Sequence, residues 1–118
     1  MSLNAISDLV SQLGARGAKK VALQFPEGLK RQAAETAAAL KSAGFEVIVS
    51  GDPCYGACDL ALDTLSDGAD VLVHFGHAPV DHRENVIFVP WAVDFDVSVL
   101  EKALPLLPEK TVGLVTTV

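Results

Sequence analysis

Cysteine is scarce in this chain: two among 118 residues, with one tryptophan, one tyrosine and one methionine. Two thiols exclude a disulfide framework, and alone they cannot complete a structural zinc or iron–sulfur ligand set. Cation is in short supply too. Nine Lys and Arg face fifteen Asp and Glu, for a formal net charge of −6, which argues against a basic nucleic-acid-binding surface. No apolar run approaches the ~20 residues that span a bilayer. The first residues lack the basic, apolar, small-residue order of a leader, so a cytoplasmic, membrane-free protein is expected. No G-x-G-x-x-G follows the first apolar run, and no G-x-x-x-x-G-K-[ST] occurs, so the common dinucleotide and phosphate loops are missing. What is present is core: half the residues are hydrophobic. The length suits one domain, or one domain and the beginning of another.

Both cysteines fall in one stretch, Gly51-Asp52-Pro53-Cys54-Tyr55-Gly56-Ala57-Cys58-Asp59. It follows the β-branched run at residues 45–49 and precedes a helical pattern at residues 59–65. It therefore reads as a strand-to-helix turn, punctuated by Gly51, Pro53 and Gly56. Cys58 is expected near the first turn of the following helix, where free amides and the helix dipole favour a thiolate. The plainer alternative is two small residues packed beneath a loop.

Taken in order, residues 4–13 space Ile6, Leu9, Val10 and Leu13 as one helix face, ended by Gly14 and Gly17. Residues 21–25 form a short buried strand. Pro26-Glu27-Gly28 breaks it, with Pro26 suited to a first helical position. Residues 29–43 are an alanine-rich helix closed by Gly44, and residues 45–50 a second strand. A short helix at 59–65, a third strand at 71–75 and a fourth at 84–89 follow. Residues 97–104 read as a helix capped by Asp94 or Asp96, after which Pro105 and Pro108 break the chain. Residues 110–118 end on a fifth strand-like run.

Short apolar strands alternating with helices predict an α/β domain of three layers: a mostly parallel sheet of four to five strands, order about 2-1-3-4, with helices on both faces. In that order the direction of growth reverses between strands 1 and 3, and ligands bind beyond the carboxyl ends of strands at such a switch point. Three loops leave those ends, and they bring Pro26, Glu27 and Gly28, the two cysteines with Tyr55 and Gly56, and His74 and His77 to one rim. Glu27 reads either as a ligand or as a first-turn partner of the helix dipole. The two histidines sit at a strand end, where rings three residues apart need not meet, so a hydrogen-bonded or ligand-contacting role is expected before a metal-ligating one. His82 reads as solvated and Trp91 as packing.

Gln24-Phe25-Pro26-Glu27-Gly28-Leu29, Tyr55-Gly56-Ala57-Cys58 and Val73-His74-Phe75-Gly76-His77 occur in the order and approximate spacing of the diphthamide-synthesis proteins. The chain resembles the archaeal form of the enzyme for the first step. The resemblance implies three similar α/β domains, each giving one cysteine to a [4Fe–4S] cluster, with Cys58 as the first ligand and Cys54 without a counterpart. It implies that the cluster engages S-adenosylmethionine, and that a 3-amino-3-carboxypropyl radical then adds to a histidine ring carbon of translation elongation factor 2. Contacts to S-adenosylmethionine are expected from Pro26, Glu27, Gly28, Tyr55, Gly56, His74 and His77; no catalytic residue is assigned. A homodimer is implied. Residues 1–108 would be the N-terminal domain and residues 109–118 the first strand of the next, so this stretch is expected to be inactive alone. Two alternatives stand beside this: a stand-alone α/β domain binding an anion or nucleotide, with structural thiols, and a disulfide switch between Cys54 and Cys58.

Overall fold

A computed structural model of the chain describes residues 3–92, 94, 96–107 and 111–113. The expected strand at residues 110–118 and the boundary at 108/109 lie mostly outside the described residues; residues 111–113, which are described, are not in a strand. Helix α1 (Leu3–Ala15) leads into β1 (Lys20–Gln24), a 3-10 helix (Glu27–Gln32) and α2 (Ala33–Ser42). Then come β2 (Glu46–Val49), α3 (Asp63–Ser66), β3 (Val71–Phe75), β4 (Val86–Val89) and a second 3-10 helix (Val97–Leu106). The four strands are all parallel, in the order β2-β1-β3-β4, which is the order expected.

β3 is buried from end to end, and so is β1 from Val21 onward, because both faces of the sheet are covered. Side chains alternate across a strand, so odd and even positions face different layers. Val21, Leu23, Val71 and Val73, with Phe25 and Phe75 beyond or at the strand ends, join Leu9 and Leu13 of α1 and Ala33, Ala37 and Leu40 of α2 in one core. Phe25 and Phe75 stack with centroids 4.2 Å apart; burying each contributes roughly 1.5–3 kcal/mol. Ala22, Leu72 and Val86 face the other way, against Ala61 and Ala69. Gln24 and His74 share that even parity and are register partners, which places two buried polar side chains side by side beneath the cysteine turn.

The differences from expectation are local. Gly14 lies within α1, and the helix gives way instead before Gly17, whose φ is +66°. Residues 27–32 wind as a 3-10 helix before α2 begins, so the alanine-rich segment is not one α-helix, and Pro26 is its N-cap rather than its first helical residue. Gly44, with φ +97°, closes α2 as expected. The helix expected at 59–65 shrinks to Asp63–Ser66, which leaves Cys58 in the turn before it and not on a helix N-terminus. Pro105 lies inside the last 3-10 helix, whose N-cap is Asp96, accepting from the Ser98 amide at 2.9 Å. The apolar Val97, Leu100, Leu104 and Leu106 of that helix are exposed.

Candidate functional site

The site is built at the carboxyl ends of β1, β2 and β3. Asp59 closes the cysteine turn. Its Oδ2 accepts the amides of Tyr55 (2.8 Å) and Gly56 (3.1 Å), and its own amide donates to the Gly56 carbonyl. The Tyr55 amide above all holds the Asp59 carboxyl below the usual carboxylate range, with the Gly56 amide adding to it. Cys58 is exposed on this turn, its thiol 3.7 Å from Asp59 Oδ1. Tyr55 points outward, 76% exposed. Cys54 is buried, and burial, reinforced by the nearby Asp59 charge, pushes its thiol pKa up. Both cysteines are free.

The turn is tied to its neighbours. The Glu27 amide donates to the Cys54 carbonyl at 3.2 Å. Lys30 Nζ pairs with Glu27 at 2.6 Å and donates to the Gly51 carbonyl at 3.1 Å. Glu27 is thus exposed and ion-paired at the start of the 3-10 helix, beside exposed Gly28. Gly76 has φ +88°, and a Cβ there would sit 2.7 Å from Pro26 Cγ. Only glycine lets the chain after β3 pass this close beneath Pro26.

That turn at Gly76 brings the two histidines together. His74 Nε2 lies 2.9 Å from His77 Nδ1. On its other side His74 Nδ1 lies 2.9 Å from Gln24 Oε1. The Gln24 amide is itself oriented: its Nε2 donates to the Asp59 carbonyl, and its Oε1 accepts the Ala61 amide at 3.0 Å. Oε1 is therefore the acceptor, Nδ1 of His74 carries the proton, and Nε2 of His74 accepts from His77 Nδ1–H. Burial lowers the His74 pKa to about 4, so its imidazole is neutral at ordinary pH. The Cys54 sulfur and ring nitrogens of His74 and His77 all lie within 4.8 Å of one another.

The structure thus joins His74, His77 and Cys54, and it joins Pro26 to Gly76 and Glu27 to the cysteine turn. Cys58 is turned to Asp59 and solvent. Gln24 and Asp59 were not singled out from the sequence. A polar residue closing an apolar strand, and a carboxylate four residues beyond Tyr55, were the signals for them.

The family model for diphthamide synthesis proteins matches residues 25–118. The chain belongs to this family. It is 41% identical over 87 residues to the 2-(3-amino-3-carboxypropyl)histidine synthase of Pyrococcus horikoshii, covering 71% of this chain and 25% of that protein. Subunit 1 of the Aspergillus fumigatus synthase is 36% identical over 96% of this chain and 27% of its own length. The crystal structure of Dph2 from Pyrococcus horikoshii superposes with a TM-score of 0.78 at 36% identity, over 86% of this chain and 31% of that one. A second structure of that Dph2, with a 4Fe-4S cluster, matches with a TM-score of 0.78 at 37% identity, again over 86% of this chain and 31% of that one. The chain therefore spans between a quarter and a third of these relatives' lengths. Among the described residues no helix is long and apolar enough to cross a membrane.

Proposed function

We propose that these 118 residues are the first domain of a cytoplasmic, homodimeric 2-(3-amino-3-carboxypropyl)histidine synthase. The enzyme would transfer the 3-amino-3-carboxypropyl group of S-adenosylmethionine to a histidine of translation elongation factor 2, the first step of diphthamide synthesis. The observation that carries this reading is Cys58, an exposed thiol on a turn fixed by Asp59, within the segment that matches the family. Its donor chemistry fits one corner of an iron–sulfur cluster, which takes a thiolate at each protein-bound iron. The other cysteine of this stretch is buried among imidazoles, so the remaining thiolates would come from outside it. Such a cluster would supply the electron that breaks a carbon–sulfur bond of S-adenosylmethionine.

The residues of this chain would hold and orient. Asp59 sets the direction of Cys58. The rim formed by Pro26, Glu27, Gly28, Tyr55, Gly56, His74 and His77 would border the bound S-adenosylmethionine. The stand-alone anion-binding alternative loses support from the same geometry, because Asp59 already occupies the Tyr55 and Gly56 amides.

The test is Cys58→Ala in the full-length protein, purified without oxygen, with iron content and transfer of the labelled 3-amino-3-carboxypropyl group to elongation factor 2 both measured. Loss of cluster iron and of transfer is expected. Retention of a full cluster with normal transfer would overturn the proposal.

A further inference from the structure

We propose that Cys54, His74 and His77 form a mononuclear site for a borderline divalent cation of the zinc class, separate from the thiol of Cys58. Their donor atoms converge within 4.8 Å of one another, which suits a single ion, whereas a cluster takes its ligands at separate irons. One sulfur and two imidazole nitrogens are a zinc-type donor set. Tetrahedral ligands at ordinary zinc distances stand roughly 3.3–3.6 Å apart. That spacing lies between the 2.9 Å separation of His74 Nε2 and His77 Nδ1 and the 4.8 Å outer limit. An opening of a few tenths of an ångström, with the rings turned so that both nitrogen lone pairs point at the ion rather than along the present hydrogen bond, would admit it.

The surroundings are those of a ligand set. Metal-bound histidines characteristically donate their other ring N–H to an oxygen that fixes the tautomer. Gln24 Oε1 does this for His74, and the Asp59 carbonyl and Ala61 amide hold Gln24 in place. His74 therefore presents the Nε2 lone pair toward His77. Cys54 and His74 are fully buried, while His77 is half-buried and lies on the solvent side, so the ion would enter past His77 and take water as its fourth ligand. Proton balance is simple. The ion replaces the Cys54 thiol proton, which leaves to solvent, and the His77 proton moves from Nδ1 to Nε2.

The proposal does not rest on the cluster reading, since Cys58 takes no part, and with an ion bound His74 and His77 would meet S-adenosylmethionine only through that ion. It is tested by titrating the metal-free, reduced 118-residue chain with cobalt(II) as a spectroscopic stand-in for zinc. One equivalent is expected to produce a sulfur-to-cobalt charge-transfer band and tetrahedral ligand-field bands, both bleached by zinc. Cys58→Ser keeps the bands. Cys54→Ser removes the charge-transfer band. His77→Ala, whose folding is checked by circular dichroism because it also removes the partner of buried His74 Nε2, weakens cobalt affinity by at least ~10-fold. No thiolate band at stoichiometric cobalt, a band that depends on Cys58, or unchanged affinity in His77→Ala would each overturn the site. These outcomes leave the iron content of the full-length protein untouched as a separate question.

Discussion

Gln24 and His74, register partners on β1 and β3, are joined side chain to side chain at 2.9 Å, the Gln24 amide oxygen accepting the His74 Nδ1 proton. Both are buried. Gln24→Ala strands the His74 N–H and the Ala61 amide away from water. Each unsatisfied group costs about 1–3 kcal/mol, so a loss of roughly 2–6 kcal/mol is expected from urea unfolding. A loss under ~1 kcal/mol would show that water or a shifted loop replaces the amide.

Gly76 and Pro26 form a second coupled pair. Gly76→Ala adds a Cβ 2.7 Å from Pro26 Cγ at a φ of +88°. Crowding and backbone strain together should destabilise by roughly 2–4 kcal/mol. Pro26→Ala removes the ring atoms that clash, so the double variant should recover part of the loss and leave the backbone part. A double-mutant cycle measures the coupling, and strictly additive effects would refute the contact.

The two thiols should react unequally. Cys58 is exposed, while Cys54 is fully buried and its thiol pKa is raised. Mild alkylation of the native, metal-free chain should modify Cys58 first, with Cys54 at least ~10-fold slower. Peptide mapping by mass spectrometry reads this directly, and equal labelling would contradict the buried position.

Acid should act through Asp70. Its Oδ2 accepts the amides of Lys19 and Lys20 at 2.7 and 2.8 Å, and these bonds, that from Lys20 first, hold its carboxyl below the ordinary value. A depressed carboxyl contributes stability that is full above the unfolded-state value and is lost as pH falls through the folded one. The thermal midpoint of Asp70→Ala should lie below that of the parent chain at neutral pH. The gap should narrow as pH drops below the usual carboxylate range. A gap independent of pH would mean that charge plays no part.

The sheet was legible because its signal is dense. Val21 to Leu23, Val71 to Val73 and Val86 to Val89 are unbroken apolar runs, and crossover handedness leaves few orders to choose from. The cysteine turn was not. Leu60-Ala61-Leu62 looks helical by local pattern, yet the Ala61 amide goes to Gln24, thirty-seven residues away in sequence, and the helix begins only at Asp63. The histidines fall at the carboxyl end of β3 as expected, but their contact depends on the positive φ of Gly76. Local propensity does not report such long-range hydrogen bonds, and an i, i+3 spacing at a strand end does not specify one geometry.

The odd and even alternation along β1 and β3 makes the hydrocarbon core a proofreader of the polar site. If β1 slipped by one residue against β3, Phe25 would swing under the cysteine turn and the Gln24 amide would enter the Leu9–Leu13 core. The stacked pair Phe25–Phe75 would be lost at the same moment. A chain in the wrong register would fail to fold before it could fold with a misaimed histidine, so the fidelity of the chemistry is enforced by residues that never touch it.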